Sequence, residues 1–145
     1  MKFRGRPRLA SALGRLAFDT WIRTGELDAG EAIVPVPLHR RRRRERGFNQ
    51  AELLGKVIAK AAGKPCCRAL VKVVSRPPQA GLSAAERLKN AAGAYRARLP
   101  ARFVGKRLLL VDDVFTTGAT VESCALRLLR AGARSVDVLT VARVP

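Results

Sequence analysis

The chain has 145 residues, 48% of them hydrophobic, enough for one domain with a core of its own and too few for a second. Lysine and arginine number 29 against 11 acidic residues, a formal charge of +18 that would draw polyanions, whether nucleic acid, an anionic membrane surface or phosphorylated metabolites. No run approaches the roughly 20 apolar residues of a membrane-spanning helix. The cysteines Cys66, Cys67 and Cys124 supply neither a disulfide framework nor a CxxC site, so a soluble cytoplasmic protein with reduced thiols and no zinc is expected.

In chain order, Leu9, Leu13, Leu16, Ala17 and Ile22 recur at near-helical spacing after Pro7. Arg15 and Asp19 cut through what would otherwise be the apolar stretch of a signal peptide, so residues 1–24 are expected to hold an amphipathic surface helix. Ala32-Ile33-Val34-Pro35-Val36 is a short apolar run of the kind buried in a parallel sheet. The basic segment from Pro37 to Phe48, containing Gly47, reads as a loop. Asn49 then caps a helix, with Glu52 completing a capping box, and Leu53, Leu54, Val57 and Ile58 supply its buried stripe up to Gly63.

Ala69–Val74 is a second strand, stopped by Ser75-Arg76-Pro77-Pro78. Ser83 and Glu86 form another capping box, opening a short helix that ends near Gly93, and Tyr95-Arg96-Ala97 is a short strand. The strongest buried-strand signal, Arg107–Val111, runs into Asp112-Asp113, a threonine-rich bend and a helix from Thr120 to Ala131; Ser135–Val141 is the last strand. The alternation predicts an α/β fold with a mostly parallel central sheet flanked by helices.

Ligands of open α/β sheets sit beyond the carboxyl ends of the strands, where Asp112 and Asp113 fall. Two adjacent carboxylates can accept from both hydroxyls of a ribose diol, while the bend's amides and the positive end of the next helix face a phosphate. Thr116, Thr117 and Thr120 add hydroxyls, and Gly118, followed by Ala119, lets the backbone approach an anion. A bare pair of aspartates often does no more than open a turn and cap a helix.

The whole run Leu109-Leu110-Val111-Asp112-Asp113-Val114-Phe115-Thr116-Thr117-Gly118-Ala119-Thr120 resembles the phosphoribosyl pyrophosphate motif of type I phosphoribosyltransferases. Val34-Pro35-Val36-Pro37-Leu38-His39, followed by Arg46-Gly47-Phe48-Asn49-Gln50, is similar to the matching segment of the ComF family, associated with bacterial competence. Lys2-Phe3-Arg4-Gly5-Arg6 also resembles the start of that domain. The resemblance implies a type I phosphoribosyltransferase-like fold over residues 1–145, with a hood loop at 75–95 carrying Arg76, Gln79, Arg87 and Asn90.

The same resemblance implies a ribose 5-phosphate loop at Thr116, Thr117, Gly118, Ala119 and Thr120, with Asp112 and Asp113 as the catalytic pair. His39, Arg46 and Gly47 would receive the pyrophosphate, although a lone histidine in a basic loop is as readily a bystander. Mg²⁺ would ride on substrate oxygens rather than in a protein cage. ComF members commonly carry an N-terminal zinc ribbon, and this chain has no cysteine before Cys66, so the ribbon is lost or the chain shortened.

Two activities follow as expectations. One is transfer of a phosphoribosyl group to a nitrogen acceptor. The other is a non-catalytic competence or DNA-uptake role, with nucleic acid held by Arg40, Arg41, Arg42, Arg43 and Arg44; that run equally reads as an electropositive funnel to the pyrophosphate or as a solvated surface. Any symmetric assembly is expected to be a homodimer, the commonest kind.

Overall fold

The computed structural model describes residues 7–25, 30–74, 81–83, 85–86, 89–90 and 93–143. Among the described residues, three parallel strands form the main sheet in the order β1 (Ala32–Pro35), β4 (Arg107–Phe115), β5 (Ser135–Arg143). The central strand β4 explains the division of the core. Its side chains alternate between faces, so Leu108 and Leu110 enter one cluster while Leu109 and Val111 enter the other.

The first cluster is closed by Phe103 and by Val121, Cys124 and Leu128 of α4 (Ala119–Arg130). The second is closed by Trp21 of α1 (Pro7–Thr24) and by Leu54 and Ile58 of α3 (Gln50–Ala62). Here α1 and α3 approach so closely that a Cβ on Gly14 would sit 3.0 Å from the Val57 Cβ. The N-terminal helix is thus part of the packed fold, with Leu9, Leu16 and Ile22 left on its exposed side.

The second expected strand lies outside the parallel sheet. β2 (Leu70–Lys72) pairs antiparallel with β3 (Tyr95–Ala97) as a separate ribbon, with Lys72 opposite Tyr95. Its buried Leu70 and Tyr95 still join the first core cluster. Beyond the ribbon the Ser83 and Glu86 capping box forms as read: the Ser83 amide donates to Oε2 of Glu86 at 2.8 Å and the Glu86 amide to the Ser83 hydroxyl at 3.2 Å.

The segment read as a loop from Pro37 to Phe48 contains a helix, α2 (Arg40–Arg46). Nothing on it is buried, so it lacks the apolar periodicity by which helices are read. Its ends define it instead. Nδ1 of His39 accepts from the Arg41 amide at 3.2 Å, and Gly47 closes it in the left-handed region at φ 79°. The next cap is also only partly as expected. Asn49 caps α3, its Oδ1 accepting from the Ala51 amide, but Glu52 turns away from the capping box to take Arg43 of α2 at 3.3 Å.

Gly30, just before β1, adopts φ +60°, and a Cβ there would lie 2.5 Å from the Arg107 carbonyl oxygen. That oxygen already accepts from the Glu31 amide at 2.8 Å and has little freedom to retreat. Gly30→Ala is expected to destabilise the fold by about 2 kcal/mol, a backbone strain measurable as a lower urea midpoint with an unchanged slope.

Candidate functional site

Parallel pairing fixes where the candidate residues meet. Pro35 lies beside Val111 in register, and the Val36 amide donates to the Val111 carbonyl at 2.9 Å, so the chain leaving β1 emerges next to Asp112. The two acids do not follow the strand, as their expected place at its end implied; they belong to it. β4 continues through Asp112 to Phe115 because β5 supplies a partner along its length, with Asp112 opposite Thr140 and Phe115 opposite Arg143.

Asp112 is the more enclosed of the two, 9% exposed, on the side of β4 that faces α4 and the β2/β3 ribbon. Its Oδ1 accepts from the Asp113 amide at 2.9 Å, and Oδ1 of Asp113 accepts from the Val114 amide at 2.9 Å. Burial, reinforced by the charge and hydrogen bond of Asp113, pushes the Asp112 carboxyl up to about 7. The Lys72 ammonium opposes that rise.

Lys72 had no signal in the sequence beyond being a charged residue in a strand. It extends over the Tyr95 ring, with Nζ 5.3 Å from the centroid. Burial, and then the charge of Arg42, draw its ammonium below the ordinary lysine range. Tyr95 is hydrogen-bonded to Thr120 and is pushed up to about 12, chiefly by burial and then by Cys124 and Asp112. The site therefore has a polar floor of Lys72, Tyr95, Thr120 and the buried Cys124, assembled from β2, β3 and α4. Residues brought together from 52 positions apart leave no local pattern to read.

Gly118 precedes the first turn of α4 at φ 79°, and a Cβ there would lie 2.9 Å from Cζ of Phe115. Among the described contacts the amides of Thr116, Thr117, Gly118 and Thr120 have no protein acceptor, while that of Ala119 makes a long 3.4 Å contact with Oγ1 of Thr117. Asp112, Phe115, Thr116, Gly118 and Thr120 line a pocket of about 20 Å³. That is room for one water. A larger groove, about 340 Å³, lies between Ala85 and Lys89 and the outer face of α4, away from the strand ends.

On the neighbouring loop His39 is committed through Nδ1 to capping α2, Arg46 is the exposed last residue of that helix, and Gly47 its cap. Of the α2 arginines, Arg42 is the one whose charge bears on Lys72. Asn90 lies in the helical turn beyond the ribbon; Arg76, Gln79 and Arg87 fall outside the described residues.

A family model described as phosphoribosyl transferase domain matches residues 49–145. The chain belongs to that family. Over 150 residues it is 38% identical to the DNA utilization protein YhgH of Escherichia coli, which covers 99% of this chain and 64% of that one. It is 37% identical to Competence protein F of Haemophilus influenzae over 123 residues, covering 83% and 54% of the two chains. The chain thus spans less than two thirds of these relatives' length. Among solved structures, the phosphoribosylpyrophosphate amidotransferase of B. subtilis, complexed with ADP and GMP, superposes on 91% of this chain and 26% of its own with TM-score 0.61 at 23% identity. The fold is that of the type I phosphoribosyltransferases. The family match includes Asp112, Asp113 and the Thr116–Thr120 bend, and excludes His39 and α2, which lie before residue 49.

Proposed function

We propose that this phosphoribosyltransferase domain binds phosphoribosyl pyrophosphate at the carboxyl ends of β1 and β4 and transfers its phosphoribosyl group to a nitrogen acceptor. The observation that carries the reading is the meeting of one enclosed carboxylate, Asp112, with unpartnered loop amides at the start of α4. In this reading the 5-phosphate rests on the amides of Thr116 to Thr120, where the helix end favours negative charge. Asp112 and Asp113 accept from the ribose hydroxyls and oppose the positive charge that grows on the ring as the bond to diphosphate breaks.

This reading assigns Lys72, the cation whose charge bears on Asp112, to the departing diphosphate. Mg²⁺, when carried in on the diphosphate oxygens, supplies charge neutralisation there; Asp113, half-buried at the mouth, suits its hydration shell. Calorimetric titration with phosphoribosyl pyrophosphate and Mg²⁺ should give saturable binding with micromolar Kd, weakened at least tenfold for ribose 5-phosphate alone. No heat at millimolar ligand would sink the reading.

A second reading, polynucleotide binding, is supported by a different observation. Arg40 to Arg44 lie on a helix with no buried residue, on a chain of charge +18, and relatives carry names tied to DNA utilization and competence. A fluorescent oligonucleotide should bind in a salt-dependent manner.

A further inference from the structure

Glu52 was expected to serve a helix cap, and it does something else. Its side chain is 8% exposed, and three cations converge on it from three parts of the chain: Arg43 of α2 on Oε2 at 3.3 Å, Lys56 of α3 on Oε1 at 3.2 Å, and Arg68, between α3 and β2, also on Oε1. Burial alone would raise the Glu52 carboxyl, but hydrogen bonds from Arg68 and Lys56 and the charges of Arg43 and Arg68 hold it below the usual range, so it stays ionised.

The balance of charge is unequal. One carboxylate faces three cations whose side chains are 48%, 57% and 61% exposed, so they keep two surplus positive charges and donors free to turn outward. The carboxylate beneath is hidden from any ligand. We propose that Arg43, Lys56 and Arg68, gathered by Glu52, form a phosphodiester-binding patch at the β1 edge, and that its occupant is the backbone of a polynucleotide strand. This rests on the polynucleotide reading above and places part of the strand's path beyond the arginine run.

Two features favour a strand over a small phosphate. The cations project from α2, α3 and the segment after α3 and are each about half exposed, so one small anion among them would gain little. A strand instead sets several phosphates against successive cations and gains by releasing its own counterions. The arginines of α2 continue the patch, since Arg43 belongs to both.

The test uses the whole chain and a fluorescent single-stranded oligonucleotide, with anisotropy read across a salt series. Combining Arg43→Gln, Lys56→Gln and Arg68→Gln should weaken binding at least tenfold and flatten the plot of log affinity against log salt by about two. The same neutralisation at Arg96, Arg98 and Arg130, exposed elsewhere, should change binding less than threefold. Glu52→Gln removes a negative charge yet should also weaken binding, because the cations lose the group that gathers them; circular dichroism checks that it folds. Equal losses from both triple variants, or tighter binding by Glu52→Gln with the fold intact, would overturn the patch. Displacement of the oligonucleotide by low-millimolar inorganic phosphate would overturn the choice of a strand. If the wild type binds no oligonucleotide, the polynucleotide reading falls and the patch with it.

Discussion

Asp112→Asn is expected to make the protein more stable and to weaken sugar-phosphate binding, both effects growing from one enclosed carboxyl. Below about pH 4 that carboxyl is protonated whether the chain is folded or not. As pH rises toward 7 the unfolded chain gives up the proton while the folded chain, with Asp112 raised to about 7, retains it, so the folded state loses ground until the folded carboxyl also ionises. The contribution is thus fully present at acid pH and gone above neutrality.

Asparagine has no such loss and can still accept from the Asp113 amide. With about 1.4 kcal/mol for each pH unit between the two values, the ceiling is about 4 kcal/mol, and a gain on the order of 2 kcal/mol at pH 8 is expected. Thermal melts from pH 5 to pH 8 should show the wild type declining relative to the variant. Calorimetry should show phosphoribosyl pyrophosphate binding weakened 10- to 100-fold, the loss of charge-assisted hydrogen bonds to the ribose. A variant melting below the wild type at pH 8 would mean that Asp112 is held for the fold rather than for a ligand.

Gly118→Val carries the second large effect, in the opposite direction for stability. The residue sits at φ 79°, where a β-branched side chain is strongly disfavoured, and its new Cβ would meet Cζ of Phe115 at 2.9 Å. The Phe115 ring is itself occupied, with Arg143 of β5 stacked at 5.7 Å. A destabilisation of about 2–3 kcal/mol is expected in urea titration. Loss of phosphoribosyl pyrophosphate binding by at least 100-fold should accompany it, since the bend must re-form to fit the side chain. Oligonucleotide binding through Arg43, Lys56 and Arg68 should be unaffected, because those residues are held by Glu52 of α3 and not by the bend.

Local chemistry made most of the scaffold readable. The unbroken apolar run of β4, the Asn49 and Gly63 ends of α3, and the reciprocal Ser83 and Glu86 bonds each depend on neighbours within a few residues. What escaped depends on distant partners or on the absence of a buried face. A seven-residue helix with five leading arginines offers no hydrophobic period, so α2 was invisible. β4 looked finished at Val111 because its partner for Asp112 to Phe115 begins at Thr140. Lys72 and Tyr95 became neighbours of Asp112 only through the ribbon, and Glu52 fitted a capping box well enough to conceal its ion pairs.

The β2/β3 ribbon has a further consequence. The Val73 amide donates to the Ala94 carbonyl at 2.8 Å, so positions 73 and 94 are tied together at the end of the ribbon. Whatever lies between those ends can change in length with only a logarithmic entropic cost, each doubling adding about 0.6 kcal/mol. Evolution can therefore lengthen or shorten the intervening sequence while Lys72 and Tyr95 keep their places opposite each other.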